Sequence, residues 1–181
     1  MKKIKLLFAL FICVICLLSF RQNKDIEIVD IKFYMDSLRT AMIGKEFVNL
    51  TFESGMENFK DIKSLRGNVI AINIWAFSCK PCMEEIPGLN LLVDKYKNDS
   101  VKFISLLGFG KADLKDSSLI SRLKTLKFKY NTISLTNNLT EYYDYQLIFP
   151  QHILIDKNGI VVDYFFGPYT ERLDSLINKL R

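Results

Sequence analysis

The chain has 181 residues, 49% of them hydrophobic and 25% charged, enough for one domain of ordinary size with its own core. That balance excludes a disordered chain, a collagen-like repeat and a multi-pass membrane protein. The formal net charge is +5, but no Lys/Arg run reads as a nucleic-acid stripe, so nucleic acid is set aside as a partner.

The N-terminus is basic at Met1-Lys2-Lys3-Ile4-Lys5, and Leu6 to Phe20 is uncharged and almost wholly apolar. This layout predicts a secretory signal peptide or an N-terminal membrane anchor over 1–20, its positive end held in the cytoplasm. The apolar run is about 15 residues, short of the roughly 20 that span a bilayer comfortably. No small-x-small cleavage site stands out, because Leu17-Leu18-Ser19 has a large residue where a small one is preferred. Bulky Ile12 and Ile15 precede Cys13 and Cys16, against lipoprotein processing. Cleaved signal and retained anchor both stay open; either places the remaining chain in the periplasm or another extracytoplasmic space. A buried helix of the folded domain is disfavoured by Lys2, Lys3 and Lys5 at its start.

Residues 21–42 read as a linker or N-terminal extension, with a short strand over Asp25–Ile31 and a helix over Tyr34–Met42. After a polar, turn-rich stretch from Asn58 to Gly67, the run Val69 to Ala76 predicts a strand buried on both faces. From Pro81 to Tyr96, Ile86, Leu89, Leu92, Val93 and Tyr96 recur at helical spacing. Val101–Leu107 is a second buried strand ended by Gly108-Phe109-Gly110. Ser118–Leu126 is an amphipathic helix with Leu119, Ile120, Leu123 and Leu126 on one side. A short strand is expected over Tyr130–Leu135 and a short helix over Thr140–Tyr145. His152–Asp156 and Ile160–Phe166 form a hairpin about Lys157-Asn158-Gly159. Gly167-Pro168 breaks the second strand, and Thr170 is the expected cap of a closing helix carrying Leu173, Leu176, Ile177 and Leu180. This order predicts an α/β sheet, parallel in its first part and antiparallel at its edge.

Two of the four cysteines lie in the leader, so the exported part keeps only Cys79 and Cys82, spaced C-x-x-C. A disulfide scaffold needs more cysteines, and a structural zinc site normally needs four Cys or His ligands. The single histidine, His152, is remote in sequence. An isolated pair in an oxidising compartment points to redox chemistry. The pair stands where a buried strand gives way to a helix. A cysteine at a helix N-terminus faces unsatisfied N–H groups and the positive end of the dipole, which favour its thiolate. Cys79 is therefore the candidate nucleophile, and Cys82, one turn later, can reach back to resolve a mixed disulfide. Pro81 suits the first turn because it has no N–H to leave unsatisfied, and Lys80 adds a positive charge nearby.

Here the sequence resembles the thioredoxin superfamily, and more closely the envelope-located TlpA/ResA-like thiol–disulfide oxidoreductases of the redoxin family. Trp75-Ala76 ahead of the Cys-x-Pro-Cys core is their pattern, as are Asn73 in the preceding strand, Glu85 three residues after the second cysteine, and Pro87. Ile43-Gly44-Lys45 and Leu65-Arg66-Gly67-Asn68-Val69 resemble the family's lead-in. Phe149-Pro150 followed by Ile153 to Gly159 resembles the stretch around its cis-proline. The resemblance runs from Ile43 to the C-terminus and departs from the pattern at Ser78, often Trp, and at Glu46, usually Pro. It implies a thioredoxin-like three-layer fold over 43–181, a central mixed β-sheet flanked by helices, and a cis Phe149–Pro150 bond beside the cysteines. It also implies a reductive role toward cysteine-containing exported proteins, for example keeping apocytochrome c thiols reduced before haem attachment. Electrons would come from a membrane donor. No metal is expected, and no cofactor beyond the redox-active disulfide.

Each residue has a plainer reading. Cys79 and Cys82 could form a structural disulfide or a metal pair with ligands elsewhere, but a bond across so short a loop would restrict the unfolded chain little. Glu85 is either a solvated helix residue, as Glu84 is, or the group that accepts or relays the proton of Cys82. Asn73 reads as a hydrogen-bonded strand residue, Trp75 and Phe77 as packing with Trp75 shielding the thiols, and His152 as a strand residue near the site. A peroxiredoxin-like thiol peroxidase would need a Thr-x-x-Cys setting with an activating Arg, which Phe77-Ser78-Cys79 lacks. A copper metallochaperone would pair a wider C-x-x-x-C with a histidine, for which His152 is the single candidate. A binding module with an idle cysteine pair is the non-enzymatic alternative.

Overall fold

A computed structural model of the chain describes residues 31–51, 61–108, 117–134 and 148–181. The leader expected over 1–20, residues 25–30 of the expected first strand and the helix expected over 140–145 lie outside the described residues. The chain divides into two units, Met1–Thr40 and Ala41–Arg181. Residues 31–42 are helical (α1), so Ile31 lies in a helix and not in a strand. Among the described residues, no helix is long and apolar enough to cross a membrane.

The second unit is built on five strands: β1 (Val69–Trp75), β2 (Val101–Leu107), β3 (Asn131–Ser134), β4 (Gln151–Ile155) and β5 (Val161–Phe166). Their order in the sheet is β3-β2-β1-β4-β5. The β3-β2-β1 half is parallel, and β4 and β5 add antiparallel pairings, the mixed α/β sheet that the element order predicts. β1 is central and buried at every position. Its run of β-branched and apolar side chains suits a strand covered on both faces. Each fully buried Ile or Val of this kind contributes about 1.5–3 kcal/mol.

Among the described residues, three further helices flank the sheet: α2 (Lys80–Lys95), α3 (Ser117–Thr125) and α4 (Thr170–Leu180). Of the expected α2 stripe, Ile86, Leu89, Leu92 and Tyr96 are buried and Val93 is half-buried. Leu89, Leu92 and Tyr96 meet Leu173 and Ile177 of α4 over Val69, Ala71, Val101 and Leu154 in one apolar cluster. A second cluster holds Trp75, Cys82 and Leu107, with Leu119, Leu123 and Leu126 packed against it. Just beyond α3, Lys127 takes a left-handed φ of 54°. The Asn90 amide donates to the Lys127 carbonyl at 2.9 Å and so holds that end against α2.

The β4–β5 hairpin closes on the expected turn. Asp156 Oδ1 accepts from the backbone N–H of Asn158 and of Ile160, each at 2.9 Å, and Gly159 takes a φ of 88° that a side chain would resist. The lead-in lies along the hairpin through bonds from Gly44 N to Val161 O and Phe47 N to Gly159 O. Thr170 is not the cap of α4. The cap position is Tyr169, with no side-chain cap hydrogen bond, and Thr170 is the first helical residue. The Gly167 turn (φ 100°) brings the chain into the helix one residue early, and the Thr170 side chain packs against Gly88 of α2 instead.

Candidate active site

After β1 the chain turns through Ala76-Phe77-Ser78 and enters α2 with Cys79 as its N-cap, in extended conformation (φ −90°, ψ 97°). Cys79 Sγ accepts from the Cys82 backbone N–H at 3.2 Å. The sulfur thus occupies the place that a capping oxygen takes at other helices. Pro81 sits in the first turn, where its missing N–H costs nothing. Cys79 and Cys82 are joined in a disulfide with Cα atoms 5.3 Å apart. Cys79 is half-buried, whereas Cys82 is 1% exposed. An incoming sulfur therefore meets Cys79 first.

The surroundings are apolar and aromatic. Cys82 shares a cluster with buried Trp75 and Leu107, and Phe77, Met83 and Phe149 pack against it. The Trp75 indole N–H donates to Ser105 Oγ at 2.5 Å, which fixes the ring beside the disulfide. Phe77 meets Trp75 edge-on at 5.0 Å between ring centres, and the Arg122 guanidinium lies over Phe77 at 4.0 Å. The Phe149–Pro150 peptide bond is cis, the geometry that the resemblance implies. Gly108 admits the Phe149 ring: a Cβ there would stand 2.7 Å from it.

Lys80 contributes less than the sequence suggests. Its side chain is 86% exposed and pairs with Glu84 at 3.5 Å, so solvent and a carboxylate offset its charge before it reaches Cys79. Glu84 is the solvated helix residue expected; Glu85 is not. Glu85 is buried and faces the sheet. Asn73 Nδ2 donates to its Oε1 at 2.8 Å, and His152 Nε2 lies 3.1 Å from its Oε2.

Tyr130 is a member of this polar group that the sequence does not reveal, and His152, expected only as a strand residue near the site, is in contact with Glu85. His152 is fully buried. The Tyr130 hydroxyl is buried without a hydrogen-bond partner. Burial first, and then the charge of Glu85, push the Tyr130 phenol well above its ordinary range. A signal for His152 does exist: it is one imidazole in a strand whose other residues are apolar or amide, two positions after Pro150. Placing it against Glu85 requires the β1–β4 register. Among the described residues, no group of three or more His, Cys, Asp or Glu side chains is placed to hold a metal.

Comparison with known proteins agrees with this arrangement. The sequence model of the Redoxin family matches residues 42–179. Thiol-disulfide oxidoreductase ResA of Bacillus anthracis is 31% identical over 151 residues, covering 82% of this chain and 83% of its own. ResA of a Bacillus cereus strain is 29% identical over 183 residues, 99% of each chain. In fold, the chain resembles the thioredoxin domain of a thiol-disulfide oxidoreductase from Bacteroides vulgatus, with a TM-score of 0.61 at 18% identity over 75% of this chain and 98% of that one. With the family's model spanning the sheet, the C-x-x-C helix and the cis-proline, the chain belongs to the redoxin family, as a thiol–disulfide oxidoreductase of the thioredoxin superfamily.

Proposed function

We propose that the chain works in the cell envelope as a protein-disulfide reductase, with Cys79 as nucleophile, Cys82 as resolving thiol and Glu85 as the group that handles the proton of Cys82. In the reduced form the Cys79 thiolate attacks a substrate disulfide. One substrate sulfur leaves as a thiolate and the other stays bonded to Cys79. Cys82 then loses its proton and attacks Cys79 Sγ. The Cys79–Cys82 bond forms, the bond to substrate breaks, and its electron pair leaves with the substrate sulfur. Two electrons have passed to the substrate, and a membrane donor returns them. Trp75, Pro81, Phe149 and Pro150 frame the disulfide, and Lys80 has a minor part.

One observation carries this reading: half-buried Cys79 caps α2 while Cys82 and a carboxylic acid are buried behind it. The basic and then apolar N-terminus supports an envelope location. The substrates are cysteine-containing exported proteins, apocytochrome c before haem attachment among them. The test is the reduction potential of the Cys79–Cys82 couple in the purified chain. A reductant should poise at or below about −270 mV, the value of thioredoxin, whereas an oxidant sits near −120 mV. A value close to the latter would reverse the direction of electron flow.

A further inference from the structure

Between its two apolar clusters the sheet carries one polar row. Strand register sets Ser105 beside Asn73 and Asn73 beside His152, across β2, β1 and β4. Neighbours in register share a face, and the pleat alternates faces. The row therefore lies on the same side as Ala71 and Trp75, with one apolar cluster on each side of it. Glu85 reaches this row from α2. Both of its carboxylate oxygens are engaged, Oε1 by Asn73 at 2.8 Å and Oε2 by His152 at 3.1 Å. The side chains of His152 and Glu85 are 0% and 1% exposed.

The imidazole has two nitrogens and one polar contact. Nδ1 is buried with no hydrogen-bond partner, and the ring stacks on Phe165 at 4.9 Å. With Glu85 ionised, a proton on Nδ1 would strand a buried N–H and set two lone pairs against each other across Nε2 and Oε2. A proton on Nε2 satisfies the carboxylate and leaves only a bare lone pair unmatched. Among the described residues, the remaining titratable or charged neighbours are few. Cys82 lies one turn before Glu85 on the same helix face, and the Tyr130 hydroxyl lies within reach of the charge of Glu85. Beyond Phe165, the Arg172 guanidinium lies over that ring at 4.6 Å and is paired with Asp163.

We propose that His152 is a positioning residue of the exchange reaction: the buried Glu85–His152 pair, not Glu85 alone, takes the proton that Cys82 sheds. This rests on the reading of Cys82 as the resolving thiol. With Asn73 as its single donor, the buried carboxylate would keep one oxygen without a hydrogen-bond partner. His152 supplies the second donor, so that each oxygen of the buried carboxylate has a partner. When Cys82 Sγ–H gives up its proton to the pair, the negative charge passes to sulfur. The thiolate forms the bond to Cys79 Sγ, and the charge leaves the site with the departing substrate thiolate. The pair is left neutral overall, its proton shared between oxygen and nitrogen, until solvent removes it.

His152 is the single histidine of the chain, so its ring nitrogens can be followed by NMR without overlap. In the oxidised full-length chain the ring should be the Nε2–H tautomer. Its pH titration should differ between the disulfide and dithiol forms, because only the dithiol form has a Cys82 proton to exchange. Glu85→Gln should remove that difference. In parallel, resolution of the Cys79 mixed disulfide formed with oxidised glutathione can be timed against pH. His152→Phe should move that profile upward by at least about one pH unit, a tenfold loss at fixed pH on its rising limb. His152→Gln, which keeps an N–H donor, should restore most of the loss. An Nδ1–H ring, identical titrations in the two redox states, or a His152→Phe profile that overlays the wild type would each overturn the proposal. If the Phe variant does not fold, the NMR measurements decide alone. A wild-type chain that forms no mixed disulfide would sink the functional reading as well, whereas normal exchange indifferent to His152 sinks only this inference.

Discussion

Cys79 and Cys82 differ in setting and not in kind, and the difference is what assigns their roles. Cys79 stands half-buried at the cap of α2 while Cys82 is enclosed by Trp75 and Leu107. A helix N-terminus commonly lowers a thiol pKa by about a unit or more, which near neutral pH raises the thiolate fraction roughly tenfold. Limiting iodoacetamide on the reduced chain should therefore label Cys79 at least about tenfold faster than Cys82, read by mass spectrometry of the peptides. Equal labelling, or Cys82 first, would exchange the roles. These residues are legible in sequence because everything that defines them is local: C-x-x-C spacing, Pro81 in the first turn, Glu85 one turn on. His152 is legible only as a strand residue near the site, because its contact with Glu85 spans 67 positions and exists only once β4 has paired antiparallel to β1.

The elements follow the same division. β1, β2, α2 and the β4–β5 hairpin fall nearly where the residues predict them, since a continuous apolar run, a helical stripe and an Asn-Gly turn each need only their own residues. The cap of α4 does not fall on Thr170, because the start of that helix is set by the Gly167 turn and by packing on Gly88. Gly108 shows how one element's end governs another's loop. Its N–H donates to the Trp75 carbonyl at 2.7 Å, extending the β1–β2 ladder by one bond, and its bare Cα admits the Phe149 ring. Gly108→Ala sets a methyl 2.7 Å from that ring, inside a packed aromatic cluster. Overpacking of this kind costs about 1–3 kcal/mol, to be read from the denaturant midpoint. Gly88→Ala is the comparison. Its new methyl meets the Thr170 side chain at 3.2 Å or more, and the helix-propensity gain of roughly 1 kcal/mol offsets that contact. Its stability should stay within about 1 kcal/mol of wild type, and equal losses in both variants would contradict the assigned role of Gly108.

For the molecule as a whole, the site depends on α2 keeping its place over the sheet while its first turn does chemistry. The far end of α2 is tied to α4. Lys95 Nζ bonds Asp174 Oδ1 at 2.7 Å, and the Tyr96 hydroxyl donates to the same oxygen at 2.6 Å. Arg181 from the end of the chain pairs with Asp99 at 3.1 Å. The Lys95 ammonium, and next the Tyr96 hydroxyl, hold the Asp174 carboxyl below its usual range. A carboxyl depressed in the folded state binds fewer protons there than in the unfolded chain. Its stabilisation is thus complete above the ordinary carboxyl value near 3.8 and is lost as pH falls through the lower folded value. The pair is partly exposed, with Lys95 at 49% and Asp174 at 32%, so solvent screening keeps its contribution small. Asp174→Asn should lower the thermal midpoint modestly at pH 7 and converge with the wild type in strong acid, where neither chain carries that charge. Because the link lies at the opposite end of α2 from Cys79, the exchange rate at pH 7 should hold. A constant deficit at every pH would mean that Asp174 works by packing alone, and a slowed exchange would mean that the far end of α2 sets the position of its first turn.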